Sequence, residues 1–494
     1  MMEISEKQVA EERRVVGAVP TELLIDGEWR PASGGRTLGV EDPATGETLV
    51  EVADGDDGDA LAALDAADRA QSTWAATPPR ERGEILRRAF EALIANAGDL
   101  ALLMTLEMGK PLAESRAEIA YAAEFFRWYS EEAVRITGDY RVAPAGGSRL
   151  IVLRQPVGPA LFITPWNFPM AMGTRKIGPA IAAGCTMILK PAALTPLSSL
   201  ALAQILIDAG LPPGVLNVIT TSRSGATTAP LISDPRLRKL SFTGSTEVGK
   251  RLIAASADQV LRVSMELGGN APFLVFADAD LDAAVEGALL AKMRNGGEAC
   301  TSANRFHVER QVAEEFSGRL AERMGSLKMG RGTEEEVAVG PLIDEDQRRK
   351  VRELVDDAVA KGARVLCGGA APKGRGYFFQ PTVLSPVPGT ADMLREEIFG
   401  PVAPVVTFET EQEAITAANG TEYGLVAYAY TSDLDRAVRV AEGIKAGMVG
   451  LNQGLVSNPA APFGGVKQSG FGREGGREGI EEYLDVKYVA LRTG

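Results

Sequence analysis

The sequence predicts an α/β protein in which each half is wound about a largely parallel sheet. Three observations carry that expectation. From about residue 157 to 266, short apolar runs of strand length alternate with helical tracts, the pattern of strand–helix–strand units. The alternation resumes past residue 269 and continues to about 446. The residues with chemical character in the first stretch, Asn167, Lys190, Gly244 and Glu266, fall at or just past strand ends, where doubly wound sheets bind their ligands.

The elements follow in order. Residues 1–20 mix charges of both signs around no long apolar core. They read as a frayed or surface-bound tail and match neither a secretory nor a transit signal. Residues 23–29 suggest a short hairpin around Asp26-Gly27,. Helical tracts are expected over about 58–76, 80–107 and 114–137, where apolar residues recur at three and four,. Residues 148–154 alternate like an exposed strand. Strands are then expected at 159–164, 186–190, 215–220, 237–242 and 260–266, with helices at 175–184, 198–209 and 245–255. In the second half, helices are expected at 280–293, 311–329, 345–361, 411–419 and 434–446. Strands are expected there at 305–309, 364–366, 403–408 and 426–430. An alternating segment at 483–491 can pair with the 148–154 strand or with another subunit.

At 494 residues the chain has room for two or more domains with substantial cores,. A net charge of −14 argues against nucleic acid as a partner,, but leaves room for a small anionic substrate met by local cations. There is no uninterrupted apolar run long enough to span a bilayer, so no membrane partner is expected,. Cys185, Cys300 and Cys367 do not suggest a disulfide framework, which points to a reducing compartment such as the cytoplasm,. The single histidine, His307, lies in an alternating run and reads as structural. Hydrolases that need a histidine base, and multi-histidine zinc sites, are therefore disfavoured, and no metal is expected.

The chemistry is placed on Arg294-Asn-Gly-Gly-Glu-Ala-Cys300-Thr-Ser-Ala-Asn-Arg305. There a thiol follows a flexible glycine pair, and its neighbouring N–H can face a developing oxyanion. Taken alone, a free cysteine is more often a small buried apolar residue. Leu240-Ser-Phe-Thr-Gly-Ser-Thr-Glu-Val-Gly-Lys-Arg251 imitates a P-loop, but Arg251 stands where magnesium binding needs Ser or Thr,. Ser245 instead caps a helix whose free N–H groups can receive a phosphate. Lys190 ends a buried strand, where a lysine is costly unless it meets an anion or reaches solvent.

With these motifs stand Thr164-Pro-Trp-Asn-Phe-Pro169, Leu189-Lys-Pro191, Phe242-Thr-Gly-Ser-Thr246, Met265-Glu-Leu-Gly-Gly269, Glu396-Glu-Ile-Phe-Gly-Pro401 and Pro462-Phe-Gly-Gly465. Together, and in this order, they resemble the aldehyde dehydrogenase superfamily from about residue 22 onward. The resemblance implies a Rossmann-type cofactor domain (21–136 and 157–268), an α/β catalytic domain (269–474) and a small β extension for oligomerisation (137–156 and 475–494). It implies Cys300 as nucleophile, Asn167 and the Cys300 N–H as oxyanion donors, and Glu266 as the base that releases the acid. Covalent thiol chemistry with a carboxylate base needs no histidine.

The resemblance further assigns Thr164, Pro165, Trp166, Lys190, Ala193, Gly244, Ser245, Gly268, Glu397 and Phe399 to cofactor binding. Ala193 replaces a glutamate that often binds both ribose hydroxyls, so NADP is expected beside NAD, with Arg223 a nearby cation. Within the superfamily the segments around Arg175, Arg294 and Ser457 resemble the substrate-carboxylate site of succinate-semialdehyde dehydrogenases. Paired arginines grip a carboxylate well. Glutarate semialdehyde remains the alternative, since one methylene discriminates by only about 1–3 kcal/mol. A homodimer or homotetramer is implied. Two departures from close relatives are expected to matter. Ser302 replaces a second cysteine, removing a disulfide switch, and Glu298 replaces a glutamine, adding negative charge near Cys300.

Overall fold

The computed structural model describes residues 6–493. Five strands run parallel at the centre of the first sheet, in the order Arg262–Glu266, Lys239–Thr243, Ala160–Ile163, Met187–Lys190 and Leu216–Val218. All five lie where the alternation places them. The last four are buried along their whole length; Ala160–Ile163 accordingly reads as a continuous apolar run, whereas Lys239–Thr243 keeps buried polar residues at alternate positions. The hairpin Leu23–Ile25 and Glu28–Arg30 extends one edge in antiparallel fashion. The other edge is Gly470–Phe471, antiparallel to Met265 and Glu266. Glu266 is thereby fixed between its own sheet and a segment from far along the chain.

The second sheet has the order Val365–Cys367, Thr382–Leu384, Val402–Phe408, Ala303–Glu309, Ala271–Val275, Val426–Tyr430 and Met448–Leu451. Only its first pair is antiparallel. Three of these strands were not expected. Ala271–Val275 contains Pro272, which weakens a strand assignment, and Thr382–Leu384 and Met448–Leu451 are too short to show a period. A third sheet joins Leu484–Arg492, Ser148–Pro156 and Asp139–Val142. Of the two partners open to the C-terminal segment, the strand of its own chain is the one found, in register Tyr488↔Val152.

Three expectations are corrected. The tract 80–107 is two helices, Pro79–Ala95 and Ala97–Met108, bent by 74°. The break falls at Asn96, whose side chain donates to Ala92 O at 2.8 Å and so competes with the helical ladder. Helix Ser224–Ser233 is additional; its Pro230 and paired threonines hide it from propensity. The expected tail, beyond residues 1–5 that lie outside the described residues, is the helix Glu6–Gly17. It buries Val15 and Val16, and Arg14 pairs with Asp99 and Glu12 with Arg331. Among the described residues, no single helix is long and apolar enough to cross a membrane.

Candidate active site

Asp280 caps the helix Leu281–Met293 by accepting from Asp282 N and Ala283 N. Three left-handed residues follow, Asn295 (φ 54), Gly296 (φ 61) and Gly297 (φ 83), and turn the chain sharply ahead of the thiol. Asparagine tolerates this region and glycine adopts it freely. Gly297 is also required by space: a Cβ there would lie 2.2 Å from Gly400 O. The turn delivers Cys300, a free and only partly exposed cysteine, to a cavity of about 220 Å³.

That cavity brings together residues from distant parts of the sequence. Asn167 and Glu266 arrive from the ends of first-sheet strands, Cys300 from the turn, and Glu397 and Phe399 from the second half. Pro165, Trp166, Gly244, Ser245, Gly268, Gln347 and Lys350 also line it. Asn167 is buried, and its side-chain Nδ2 donates to Glu298 O at 2.9 Å, two residues ahead of Cys300. Both carboxylate oxygens of Glu266 are buried without a hydrogen-bond partner. Gly464 leaves room for them, since a Cβ there would sit 2.9 Å from Glu266 Oε1. Burial, and next the charge of Glu474, holds the Glu266 carboxyl well above the ordinary range against the pull of Arg175 and Lys176. Burial also pushes the Cys300 thiol up to about 12; Arg175 and Arg294 oppose this, and Glu266 and Glu397 reinforce it.

The cofactor-side residues divide into two groups. Glu397 accepts from Gly269 N at 3.0 Å, and burial lifts its carboxyl to about 7. Phe399 has a left-handed backbone (φ 54), costly for an aromatic residue,. Gln347 Nε2, donating to Phe399 O at 2.6 Å, and an edge-on contact with Trp166 at 5.4 Å hold it there. Lys190, Thr164 and Ala193 are not among the residues that line this cavity. Lys190 does not reach solvent: it is 5% exposed, its Nζ donates to Ser224 Oγ at 2.8 Å, and burial lowers its amine to about 8. Ser245 caps the helix Thr246–Ser256 through Val248 N. The Oγ1 atoms of Thr164 and Thr243 are buried without partners. These unpaired groups, with a helix N-terminus opening beside them, suit the phosphate- and ribose-bearing end of a dinucleotide.

The aldehyde dehydrogenase family profile matches residues 29–489. A succinate-semialdehyde dehydrogenase of Paenarthrobacter nicotinovorans is 61% identical over 433 residues, which cover 88% of this chain and 96% of that protein. The chain belongs to the aldehyde dehydrogenase family. A glutarate-semialdehyde dehydrogenase of Pseudomonas putida is 52% identical over 470 residues, covering 95% of this chain and 97% of its own. A crystal structure of an NADP-dependent enzyme of Escherichia coli superposes with a TM-score of 0.95 at 51% identity, over 96% of this chain and 98% of that one.

In this aldehyde dehydrogenase a second cluster adjoins the thiol. Arg294 Nη1 donates to Ser457 Oγ at 3.3 Å, and its guanidinium lies 4.8 Å from the Phe168 ring centre and 5.7 Å from that of Tyr121. Arg175 is buried, ion-paired with Glu474 at 2.7 Å and stacked on Phe463 at 4.0 Å. Burial works against its charge, and Glu474 and other nearby acidic groups outweigh that cost. Arg175 Nε is buried with no hydrogen-bond partner, so Glu474 does not use up the guanidinium.

The expected influence of Glu298 on Cys300 is corrected. Glu298 is 1% exposed and accepts from Ile343 N at 3.1 Å, and burial drives its carboxyl well above the usual range. The groups that shift Cys300 most are others. Glu298→Gln is expected to leave kcat/KM within about threefold of the parent, since an amide oxygen accepts the same bond. A tenfold change in a steady-state assay would show that its charge does reach the thiol. Ser302 Oγ donates to Lys292 O at 3.3 Å. Sequence reasoning missed Glu474, Gln347 and Lys350. The first lies past the quoted Pro462–Gly465 motif; the other two lie on a helix with an ordinary charged pattern.

Proposed function

We propose that this aldehyde dehydrogenase oxidises succinate semialdehyde to succinate, with NADP or NAD as hydride acceptor. The observation that carries the substrate is the pair Arg175 and Arg294, whose charges both act on the Cys300 thiol, with Ser457 bonded to Arg294, inside an acidic protein. Two guanidinium groups and a hydroxyl form a charge-assisted receptor for a distal carboxylate. Cys300 Sγ, as the thiolate once its proton has passed to solvent, attacks the aldehyde carbon to form a thiohemiacetal, and the oxyanion is held by the Asn167 amide and the Cys300 N–H. The bound cofactor supplies the electron sink for the hydride that leaves this carbon, and a thioester remains on Cys300. Glu266 takes a proton from water as the water attacks that thioester, and the acid is released.

Thr164, Pro165, Trp166, Lys190, Gly244, Ser245, Gly268, Glu397 and Phe399 hold the cofactor. With Ala193 in place of an acid, no carboxylate repels a 2′-phosphate, and Arg223, exposed beside Ser224, adds a cation on that side. The domain division at about residue 269, the cytoplasm as location, and docking of a second copy are part of the same reading. Tyr140, Val142, Leu153, Val489 and Leu491 share one exposed apolar face of the third sheet, which a second copy would cover,.

The test compares succinate semialdehyde, glutarate semialdehyde and butanal with NADP and with NAD, followed at the reduced-nicotinamide absorbance. Succinate semialdehyde is expected to give the highest kcat/KM; a higher value for glutarate semialdehyde assigns the longer substrate. Arg294→Ala is expected to raise KM for succinate semialdehyde about 10- to 100-fold, the cost of a charge-assisted bond, and to leave butanal nearly unchanged. Equal effects on both aldehydes would remove the carboxylate receptor.

A further inference from the structure

Behind the oxyanion amide lies an ion pair that the chemistry above does not use. Lys110 follows the end of the helix Ala97–Met108, and Glu118 sits on the next helix, Leu112–Glu132. Their side chains are 1% and 0% exposed, and Lys110 Nζ donates to Glu118 Oε2 at 2.6 Å. Burying two charges costs more than their attraction returns unless further bonds satisfy them. An apolar pair of the same volume would serve the core as well, so the contacts that the pair makes are the informative part.

All of those contacts fall on one short segment. Lys110 Nζ donates a second bond to the backbone oxygen of Asn167 at 2.7 Å, and the ammonium lies 4.2 Å from the centre of the Phe168 ring. Glu118 Oε1 accepts from Met170 N at 3.0 Å and Ala171 N at 3.1 Å, the first free N–H groups of the helix Ala171–Ala183. The ammonium thus spends its donors on Glu118, the Asn167 carbonyl and an aromatic face. The carboxylate holds a helix N-terminus. Asn295 Nδ2 adds a bond to the same Asn167 oxygen at 3.0 Å and another to Glu298 O at 3.0 Å. Residues 167–171 are therefore gripped from behind at both ends, and the Asn167 side chain is aimed at the loop that carries Cys300.

We infer that Lys110 and Glu118 are positioning residues that set the Asn167 amide against Cys300 at the distance the oxyanion requires. The inference rests on the reading of Asn167 as an oxyanion donor. Such donors act within a narrow range of distance, and a displacement of about 1 Å costs about 100-fold in rate.

The test uses full-length enzyme and a double-mutant cycle. Removing one charge alone would strand the other in the core, so Lys110→Met and Glu118→Gln are combined; the glutamine oxygen still accepts from the helix N-terminus. This pair change, Asn167→Ala, and all three changes together are compared with the parent. Single-turnover formation of reduced nicotinamide is measured per thiol titrated by alkylation. The pair change is expected to slow that step about 10- to 100-fold and to leave KM for succinate semialdehyde within a few-fold. Adding it to Asn167→Ala is expected to cost little further, because both act through one group. A parental rate for the pair change, or losses that multiply in full, overturns the inference. If Asn167→Ala alone leaves the step unchanged, it is the oxyanion reading that fails. Should the pair change not yield folded protein, Lys110→Arg, which keeps the ion pair but redirects its donors, takes its place in the cycle under the same criteria.

Discussion

Cys300→Ala is expected to abolish aldehyde oxidation, with a loss of about 10⁴-fold or more, the scale set by removing a covalent nucleophile from an otherwise intact site. The fold should not notice. Cys300 is partly exposed at a cavity and donates no structural hydrogen bond among the described residues, so the melting temperature should move by only a few degrees. The informative measurement is a single turnover with saturating aldehyde and cofactor. Hydride transfer needs the tetrahedral carbon that sulfur creates, so the variant should show no burst of reduced nicotinamide. A burst of parental size would place the nucleophile elsewhere. The parent's thiol, pushed up to about 12 by burial, should alkylate slowly at neutral pH and faster as pH rises.

Glu266→Gln separates the two halves of the reaction. The burst should survive, because glutamine keeps the shape of the site, and steady turnover should fall about 10²- to 10⁴-fold, the contribution of a general base. The pH dependence carries the sign. A base works only when deprotonated, and burial with the neighbouring charge of Glu474 raises the Glu266 carboxyl well above its ordinary value. Turnover in the parent should therefore rise with pH through a limb lying above the usual carboxylate range, where an ordinary glutamate would already be saturated. In Glu266→Gln that limb should be missing. A variant that loses burst and turnover equally would assign Glu266 to the first half-reaction instead.

Much of the architecture was legible because its strands are buried on both faces and its helices are amphipathic, the two patterns that local sequence records best. The 80–107 break was not, since it turns on one side chain, Asn96, competing for a carbonyl. At the site, Cys300, Glu266 and Asn167 stood out by their neighbours Gly297, Gly268 and Pro165. The restraint of Arg175 by Glu474, and the turning of Glu298 toward Ile343, depend on residues far apart in sequence, 299 and 45 positions away. No local pattern encodes them. Lys110 stands between a glycine and a proline, where no local pattern marks it; only the fold brings it to the Asn167 carbonyl.

The third sheet has a consequence during synthesis. Ser148–Pro156 pairs with Leu484–Arg492, so one side of this strand leaves the ribosome long before its partner exists. At roughly 5–20 residues per second the wait is on the order of tens of seconds. Throughout it, a row of unsatisfied backbone groups is on offer to any neighbouring nascent chain. Synthesis of Leu484–Arg492, rather than closure of the catalytic core, is the step that retires this hazard.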